Sequence, residues 1–580
     1  MSLRPPPLPP ASLVIEKVVD VLVVGSGAAG CLAAISAAEA GAKVLLLTKG
    51  RVPSGVSGMA RGGFGAALAI RDPEDSPAAH AEDVLRNGGG LNSRRLTEVW
   101  TREIIPLVRE METWGLDLVR EGGDFQQKEM PKNTHPRALH GHDHTGVAVM
   151  KCLSSKVKKT PGIERAEQAV LVDLAVSAGR CGGAAAWDYD RGEWLVVSAP
   201  AVVLASGGGS ALYLVHDNPP LITGDGYAAA YRAGASLINL EMVDFQPLCV
   251  APEKMRGFAP HPTGFIIMGS IFRNASGEAF MERYYPGIAE EAGRAEICRA
   301  MAMEIREGRG TPAGGIYLDS THLPLERILK YAPHIYRQYK NHGIDLTERP
   351  QELAPGSHTW LGGVKIDVDG AADVPGLFAA GDNAGGIHGA NRIGGSALSA
   401  AMVFGSRAGK AAARLAGESA ARAEAGAALE GGEGGEGVCW LNAVRDRREG
   451  VPAAAVRREI RELAQADLGI IREGPRLDAA VERLAALEMR VRESLTLAPP
   501  EELDGMGPAA RSQAMRAAVE TRNLCQVARM LAAAAGMRKE SRGAHYRLDH
   551  PGIDPGWRRV TRVRRGERGE MECSALTVED

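Results

Sequence analysis

The chain has 580 residues, enough for about two to four domains, and its 45% hydrophobic and 24% charged content is that of a soluble globular protein. Its formal net charge of −3 excludes an electrostatic case for binding nucleic acid or an anionic membrane. The eight scattered cysteines include no C-x-x-C pair, which excludes a recognisable iron–sulfur or zinc ligand set and favours a reducing cytoplasm over a disulfide framework.

The N-terminal segment, residues 1–17, is rich in proline and contains no long apolar run. We therefore predict a flexible N-terminus and no signal peptide. No uninterrupted apolar stretch of the sequence is long enough to span a bilayer, so we expect no membrane insertion by this chain.

The first predicted elements are a buried strand, a helix of small residues and a second buried strand, in "DVLVVGSGAAGCLAAISAAEAGAKVLLLTKG". This order is a βαβ unit of a parallel sheet. Gly25, Gly27 and Gly30 form G-x-G-x-x-G directly after the first strand, which predicts a dinucleotide whose pyrophosphate lies at the helix N-terminus. The second strand ends in Thr48 and Lys49 instead of an acidic residue, which argues against a simple NAD site.

Other glycine-rich segments extend this predicted nucleotide site. The strands in "APAVVLASGGG" and "PGLFAAGD" also end in small residues, at Gly207 and Asp382. Open α/β sheets bind ligands at such strand ends. The loop "SGVSGMARGGFGAAL" contains Gly62 and Gly63 and suits the face of a flat ring system.

The composition of the chain changes at four points after residue 246. Aromatic, Met and Arg residues become more frequent over residues 247–352, which predicts an inserted domain. Residues 416–438 have the Gly/Glu/Ala composition of a linker. Amphipathic periodicity over residues 439–543 predicts a helical bundle. The Arg-rich tail, residues 544–580, is predicted to be a solvated face, with a docking role as the alternative.

The segment "HGHDHTG" contains His140, His142, Asp143 and His144. Alternating histidines are able to ligate a metal, but histidines beside a turn more often form polar surface. We therefore predict no metal site here.

Arg392 lies among glycines in "GIHGANRIGGSAL". Glycine lets the backbone approach a flat or charged ligand closely, and arginine grips a carboxylate or phosphate with two parallel hydrogen bonds. A ligand that contacts backbone and guanidinium together is one interpretation, and a loop with a solvent-facing arginine is the other.

These motifs together resemble the flavoprotein subunits of succinate dehydrogenase and fumarate reductase, with L-aspartate oxidase and adenylylsulfate reductase as relatives. The matching stretches follow the family's order over residues 18–551: "VVGSGAAG", "LLTKG", "ARGGFGAA", "DHTG", "AVVLASGGGSALY", "TGDGYAAAYRAGA", "GLFAAGDNAGGIHGANRIGGSALSAAMVFG" and "RKESRGAHYRLDHP".

The resemblance implies an α/β fold, with a Rossmann-like FAD-binding domain, an inserted α+β capping domain and a C-terminal helical bundle. The FAD-binding domain is expected in two parts, residues 18–246 and 353–415, on either side of the capping domain. The helix from about Ser396 is expected to begin at the flavin, where its N–H groups favour negative charge on the reduced ring.

The family's FAD contacts fall on small, hydroxyl and acidic residues of this sequence. They are Gly25, Ser26, Gly27, Ala29, Gly30, Thr48, Lys49, Ser57, Gly62, Gly63, Gly207, Asp225, Asp382, Ser396 and Leu398. Asp382 stands where the family usually has Glu. Many members attach FAD to a histidine whose position corresponds to Val56 here, so we predict non-covalent FAD.

Three residues match the family's catalytic positions: Arg294, His358 and Arg392. The resemblance makes Arg392 the clamp for a substrate carboxylate, His358 a second contact and Arg294 the proton donor. Gln246, His358 and Arg392 are the predicted substrate-binding residues. The family's Asp neighbour of the proton donor is Ala295 here.

Several positions of the family's substrate site are changed. Gln246 replaces a histidine and Leu248 a threonine, while Ile266 and Met268 stand where Arg and Glu are expected. A hydrogen bond to a charged group contributes roughly 1.5–3 kcal/mol, so these losses are large enough to abolish fumarate turnover. One end of the pocket is expected to be more apolar than in the family.

The predicted function is an FAD-dependent oxidoreductase that transfers hydride between flavin N5 and a carboxylic acid, as the flavoprotein of an electron-transfer system. An L-aspartate oxidase-like enzyme is one alternative. An FAD-holding electron-transfer protein, similar to the alpha chain of adenylylsulfate reductase or non-catalytic, is another. The electrons of the reduced flavin are expected to pass to a partner protein, of which an iron–sulfur subunit is one possibility, to a soluble carrier or to oxygen. The chain is expected in the cytoplasm, with the inner face of the membrane, through a partner, as the alternative.

Overall fold

The structure is a computed structural model that describes residues 14–142, 144–250, 268–418 and 435–578. Its centre is a five-stranded parallel sheet. In spatial order its strands are Leu377–Ala379, Ala201–Leu204, Val21–Val24, Val44–Leu47 and Ile163–Ala166. The two predicted strands of the βαβ unit are buried at every residue, as is typical of parallel strands covered on both faces.

Two helices of small residues, Ala28–Glu39 and Ser396–Glu418, pack against each other beside this sheet. A Cβ at Gly405 would lie 2.3 Å from the Ala29 carbonyl oxygen, and one at Gly409 would lie 2.2 Å from that of Ala33. Glycine at these two positions therefore lets the helix backbones approach closely. The contact brings the N-termini of both helices towards the same side of the sheet.

A second sheet begins with the N-terminal segment. Its strands, in spatial order, are Val14–Val18, Glu193–Ser198, Arg180–Asp188 and Ala169–Ser177. The prediction that residues 1–17 are flexible is wrong for residues 14–17, because the first strand pairs in parallel with Glu193–Ser198. The remainder of that prediction lies outside the described residues.

An antiparallel four-stranded sheet carries the predicted capping region. Its strands are Val243–Val250, Gln351–Trp360, Ile316–Asp319 and Ile271–Arg273, with helices Met281–Tyr284, Arg294–Arg306, Leu325–Tyr331 and Pro333–Asn341. This region has a hydrophobic core of its own. The strands Val243–Val250 and Gln351–Trp360 cross the predicted domain boundaries at residues 246/247 and 352/353. Each of these two strands therefore belongs partly to the predicted FAD-binding domain and partly to the predicted capping domain.

The C-terminal region is helical over most of its length. Its helices are Glu436–Asp446, Ala453–Asp467, Gly474–Ser494, Pro500–Leu503 and Pro508–Met537. The last and longest of them packs against the second and third, and also against Asp225–Arg232 of the FAD-binding part. The predicted linker, residues 416–438, overlaps the ends of two helices, and its residues 419–434 lie outside the described part of the chain.

The Arg-rich tail is not a solvated run. Strands Arg559–Arg565 and Met571–Thr577 form an antiparallel hairpin at the edge of a five-stranded sheet. The other strands are Leu237–Ile238, Gly363–Lys365 and Ala384–Gly385. Val560, Thr561 and Val563 are buried. The β-branched residues between the arginines therefore pack inward, and arginines such as Arg564 form ion pairs with carboxylates. This packing makes the segment a strand, although its run of charges predicted a solvated face.

The remaining elements are short sheets and three helices of the FAD-binding part. The helices are Pro77–Asn87, Arg94–Thr113 and Thr145–Lys159. One short sheet has three strands, Phe64–Gly65, Ala138–Leu139 and Gln127–Lys128. Three sheets have two strands each: Arg120–Glu121 with Asp124–Phe125, Val451–Pro452 with Leu495–Thr496, and Ile471–Arg472 with Tyr546–Arg547. Among the described helices, none is long and apolar enough to span a membrane.

Candidate active site

One large cavity, of about 1220 Å³, joins the carboxyl ends of the central parallel strands to the capping region. Its walls come from the glycine turn after Val21–Val24, from the loop before Ser396–Glu418, and from the capping elements Val243–Val250 and Arg294–Arg306. A cofactor held by the first two elements would therefore face residues of the third and fourth within one cavity.

The predicted dinucleotide turn has the geometry that its glycines require. Gly25 has φ +113°, and a Cβ there would lie 2.1 Å from the Ala205 carbonyl oxygen. A Cβ at Gly30 would lie 1.8 Å from the Gly25 carbonyl oxygen. Gly27 precedes the helix Ala28–Glu39 without a side-chain cap. The turn thus presents the helix N-terminus, with its amide groups and positive dipole end, to the cavity.

Lys49 connects the second strand of the βαβ unit to two carboxylates. Its Nζ lies 2.7 Å from Asp225 Oδ2 and 3.1 Å from Glu520 Oε1. Burial lowers the pKa of Lys49, but the two carboxylates more than offset this effect and raise it above its usual value. Thr48 and Ser26 share a hydrogen bond of 2.9 Å between their hydroxyls beside this network. Polar groups therefore line this end of the cavity.

Most of the predicted cofactor residues line the cavity. They are Gly25, Ser26, Gly27, Ala29, Thr48, Lys49, Ser57, Gly62, Gly63, Gly207, Asp225, Asp382 and Leu398. Gly30 and Ser396 are not among the lining residues. Gly30 packs against the turn, and Ser396 is buried with its Oγ unpartnered among the described residues. Burial raises the pKa of the Asp382 carboxyl to about 6.

The two predicted arginines meet at one carboxylate at the other end of the cavity. Arg294 Nη1 lies 2.9 Å and Arg392 Nη2 lies 3.1 Å from Asp244 Oδ2. The Arg392 side chain is only 6% exposed, whereas that of Arg294 is 33% exposed. Arg392 is therefore not the solvent-facing loop residue of the alternative interpretation.

His358 faces the same cavity from the strand Gln351–Trp360. Its Nδ1 lies 2.8 Å from Asp217 Oδ2, which fixes the ring and leaves Nε2 as the other nitrogen able to contact a ligand. Gln246 is buried and lines the cavity. The structure thus brings all four predicted catalytic and substrate-binding side chains to one wall.

Two of the changed family positions, Gln246 and Ala295, line the cavity, and Ala295 lies beside Arg294. Leu248 and Met268 are buried in the core of the capping region and do not line the cavity. Ile266 lies outside the described residues. At Met268, where a Glu is expected from the resemblance, the described chain has an apolar side chain in the capping core and therefore no charge.

Comparison with known proteins assigns the chain to a family. The FAD binding domain family model matches residues 20–398, and the fumarate reductase flavoprotein C-terminal model matches residues 457–580. The chain belongs to the fumarate reductase and succinate dehydrogenase flavoprotein family. Its cofactor is FAD, and it is an FAD-dependent oxidoreductase.

Relatives of this flavoprotein cover almost its whole length. A fumarate reductase (CoM/CoB) subunit of Methanothermobacter marburgensis is 37% identical, over 93% of this chain and 96% of that protein. L-aspartate oxidase of Pseudomonas aeruginosa is 33% identical, over 92% and 96%. Sdh1 of Mycobacterium smegmatis, solved in complex with UQ1, is 32% identical with a TM-score of 0.88, over 97% and 95%. The predicted resemblance, fold class and cofactor are confirmed.

The residues of this flavoprotein fit FAD. Gly25 and Gly30 let the turn pack tightly against neighbouring backbone, and the N-terminus of the helix Ala28–Glu39, whose Ala28 N–H donates to Ser57 Oγ, faces the cavity where a pyrophosphate would lie. Small residues of the loop at 55–63 and the loop at 391–398 both line the cavity, and Gly65 N–H donates a hydrogen bond to the Gly395 carbonyl oxygen beside them. The space between them suits a flat ring, and the polar network around Lys49 suits the ribose end.

Two residues of the segment "KESRGAHYR", Arg542 and His545, form contacts within the protein and not with the cavity. Arg542 donates hydrogen bonds to the Glu540 carboxylate and to the Gly89 carbonyl oxygen, and it does not line the cavity. Arg472 Nη1 lies 2.7 Å from Nδ1 of the buried His545, whose pKa burial holds well below its usual value. These contacts favour the structural interpretation of "KESRGAHYR" over the catalytic one.

The histidine segment of the flavoprotein lies beside the loop at 55–63. His144 lines the cavity, while His140 Nε2 lies 3.1 Å from Gln126 Oε1. Asp143 lies outside the described residues. Across the described ranges, no group of three His, Cys, Asp or Glu side chains is positioned to hold a metal ion.

Three acidic residues of this site were missed by sequence reasoning: Asp244, Asp217 and Glu520. Asp244 stands next to the changed "FQPL" stretch, and Asp217 lies in "VHDNPP". The sequence around Asp244 does not indicate that it pairs with Arg294 and Arg392, and the sequence around Asp217 does not indicate that it pairs with His358. Glu520 lies on Pro508–Met537, far from Lys49 in sequence, so no local signal connects them.

Proposed function

We propose that this flavoprotein transfers hydride between FAD and a carboxylic acid whose carboxylate is held by Arg392. The observation that carries this proposal is the shared cavity, which is lined by the FAD cradle and by Arg392, Arg294 and His358. Converging guanidinium and imidazole groups beside a redox cofactor suit an acid that must be oriented before hydride transfer.

Each of these side chains has a task in the proposed reaction. FAD, when bound, supplies the hydride acceptor or donor. Arg392 is buried and rigidly held, so it fixes the substrate carboxylate. His358, oriented by Asp217, presents its second nitrogen to the substrate, where an imidazole is able to donate or accept a proton. Arg294 holds Asp244 and stands at the position where the family's proton donor is expected.

A second candidate is an L-aspartate oxidase-like enzyme, and the 33% identity to the Pseudomonas aeruginosa enzyme over most of both chains favours it. The third, an FAD-holding protein without acid turnover, is disfavoured because Arg294, His358 and Arg392 converge on the cavity. The similarity to a fumarate reductase (CoM/CoB) component supports an electron-transfer partner, an iron–sulfur protein, for the main candidate. We place such an assembly in the cytoplasm or at the inner face of the membrane.

Anaerobic reduction of the flavin followed by addition of candidate acids separates these functions. Rapid reoxidation by fumarate or another unsaturated acid, followed by flavin absorbance, supports the proposed reaction. Reduction of the flavin by L-aspartate, with reoxidation by oxygen, supports the oxidase. Electron exchange with an iron–sulfur protein, in the absence of any response to acids, would contradict hydride transfer to a carboxylic acid.

We predict that FAD is released when the protein is unfolded by acid. The segment 54–60, which lines the cavity where the family carries its attachment residue, contains only Ser, Gly, Val, Met and Ala. None of these side chains is the histidine, cysteine or tyrosine that a stable flavin linkage needs. After acid precipitation, we expect the yellow chromophore in the supernatant, measured by absorbance; colour that stays in the washed pellet contradicts the prediction.

A further inference from the structure

The cationic end of the cavity already contains a carboxylate of the chain itself. Asp244 Oδ2 accepts hydrogen bonds from both Arg294 and Arg392, at 2.9 Å and 3.1 Å. Its side chain is 10% exposed, and Asp244 lines the cavity. The position is therefore part of the substrate wall, and the carboxylate engages the same two guanidinium groups that a substrate acid would contact.

Asp244 is a permanent negative charge at neutral pH. Burial acts to raise the pKa of this carboxyl, but the guanidinium groups of Arg294 and Arg392 outweigh burial and hold it below its usual range. The hydrogen-bonding groups of Arg392 are not all used by the chain, because its Nε is buried without a hydrogen-bond partner among the described residues. The clamp thus keeps one unused donor while part of its positive charge is already compensated.

The charges around this end nearly balance without any ligand. Arg294 and Arg392 contribute two positive charges, and Asp244 and Asp217 contribute two negative charges. A substrate with a single carboxylate adds one negative charge to this balanced group, whereas a dianionic acid adds two. A further negative charge without a partner in a buried site is unfavourable.

The neighbouring titratable groups do not change this balance in favour of a dianion. His388 is buried near Arg392, and burial lowers its pKa to about 3, so it stays neutral. Asp382, whose pKa is raised by burial to about 6, carries mainly negative charge at pH 7. A neutral His388 adds no positive charge near Arg392, and a negative Asp382 repels anions. The surroundings of Arg392 are therefore less favourable for a second negative charge on the substrate.

We infer that the site takes an acid with a net charge of −1, and that Asp244 is the residue that discriminates against dicarboxylate dianions. Two kinds of acid have this chemistry: a monocarboxylic acid, and an amino dicarboxylic acid whose ammonium group cancels one carboxylate. The inference rests on the proposed function, since it names the charge class of the acid that Arg392 holds. It assigns Asp244 a role in specificity that the family resemblance did not predict.

Titration of the FAD-loaded protein at pH 7 tests this inference through the flavin absorbance spectrum. The probes are fumarate, its monoamide and L-aspartate; the monoamide has the shape of fumarate but one charge fewer. We expect the dissociation constant of the monoamide or of L-aspartate to be at least tenfold lower than that of fumarate. Tighter binding of the monoamide identifies a monocarboxylic acid, and tighter binding of L-aspartate identifies an amino acid.

The variant Asp244→Asn keeps the shape of the side chain and removes its charge. We expect it to bind fumarate at least tenfold more tightly than the unmodified protein and to lose the preference for a single charge. Glu291→Gln is the matched control, because Glu291 lines the same cavity but is exposed, so its charge is screened and the preference should stay.

Two results overturn the inference: fumarate that binds the unmodified protein as tightly as the other two probes, or a preference that is unchanged in Asp244→Asn. If the variant does not fold, the comparison of the three probes on the unmodified protein still decides. A protein whose flavin spectrum responds to none of the three acids instead contradicts the proposed function, so the two failures are distinguishable.

Discussion

Replacing Arg392 with lysine should lower kcat/KM for the acid substrate roughly ten- to hundred-fold while FAD content stays the same. A hydrogen bond to a charged group contributes roughly 1.5–3 kcal/mol, and each 1.36 kcal/mol of transition-state stabilisation is about a factor of ten in rate. Lysine keeps the charge but loses the planar fork, so it cannot hold Asp244 and a substrate carboxylate in fixed directions at once. Steady-state kinetics with the acid identified by flavin reoxidation measure the effect.

The control for this substitution is Arg407→Lys, on the helix Ser396–Glu418 that follows the loop of Arg392. Arg407 pairs with Glu103 and with Asp369 at the protein surface, away from the cavity. Surface ion pairs contribute roughly 0–1 kcal/mol, so kcat/KM should not change. An Arg392→Lys variant with the catalytic efficiency of Arg407→Lys would refute the assignment of Arg392 as the carboxylate clamp.

The parts of the fold and site that were predictable from sequence depend on residues close together in the chain. The glycine turn at Gly25 and Gly30 is such a case, since strand, turn and helix follow one another directly. Arg392 is another, because its glycine neighbours are close to it in sequence. Backbone conformation and close approach are local properties, so local sequence carries enough information to predict them.

The parts that were not predictable depend on contacts between distant segments. Lys49 is compensated by Glu520 from the C-terminal helix, and Arg294 and Arg392 by Asp244 from the strand Val243–Val250. Each acidic residue taken alone is indistinguishable from a surface carboxylate. The strand at 14–18 was missed for the same reason, because its pairing partner lies far away in sequence. The strand at 559–565 pairs with the nearby strand 571–577, but its place in a sheet depends on the distant strand 237–238.

Replacing Gly30 with alanine should destabilise the flavoprotein by about 3 kcal/mol or more and remove most of its FAD. The new Cβ would lie 1.8 Å from the Gly25 carbonyl oxygen, a backbone atom that cannot move without displacing the turn. The gain in helix propensity from Gly to Ala is about 1 kcal/mol and is too small to compensate. Because Gly30 does not line the cavity, FAD is lost through displacement of the turn and not through a lost contact. The midpoint of thermal unfolding and the ratio of flavin to protein absorbance report the two effects.

Gly417→Ala is the matched control in the second helix of small residues. Gly417 is exposed near the end of Ser396–Glu418, and a Cβ there would have no neighbour within 4 Å among the residues that the structure describes. The same chemical change should therefore leave flavin content unchanged and keep or slightly raise the unfolding midpoint, because only the helix propensity differs. If Gly30→Ala behaved like Gly417→Ala, the close contact between the helix and the turn would not be what holds the FAD site in shape. A loss confined to Gly30→Ala attributes the effect to that contact.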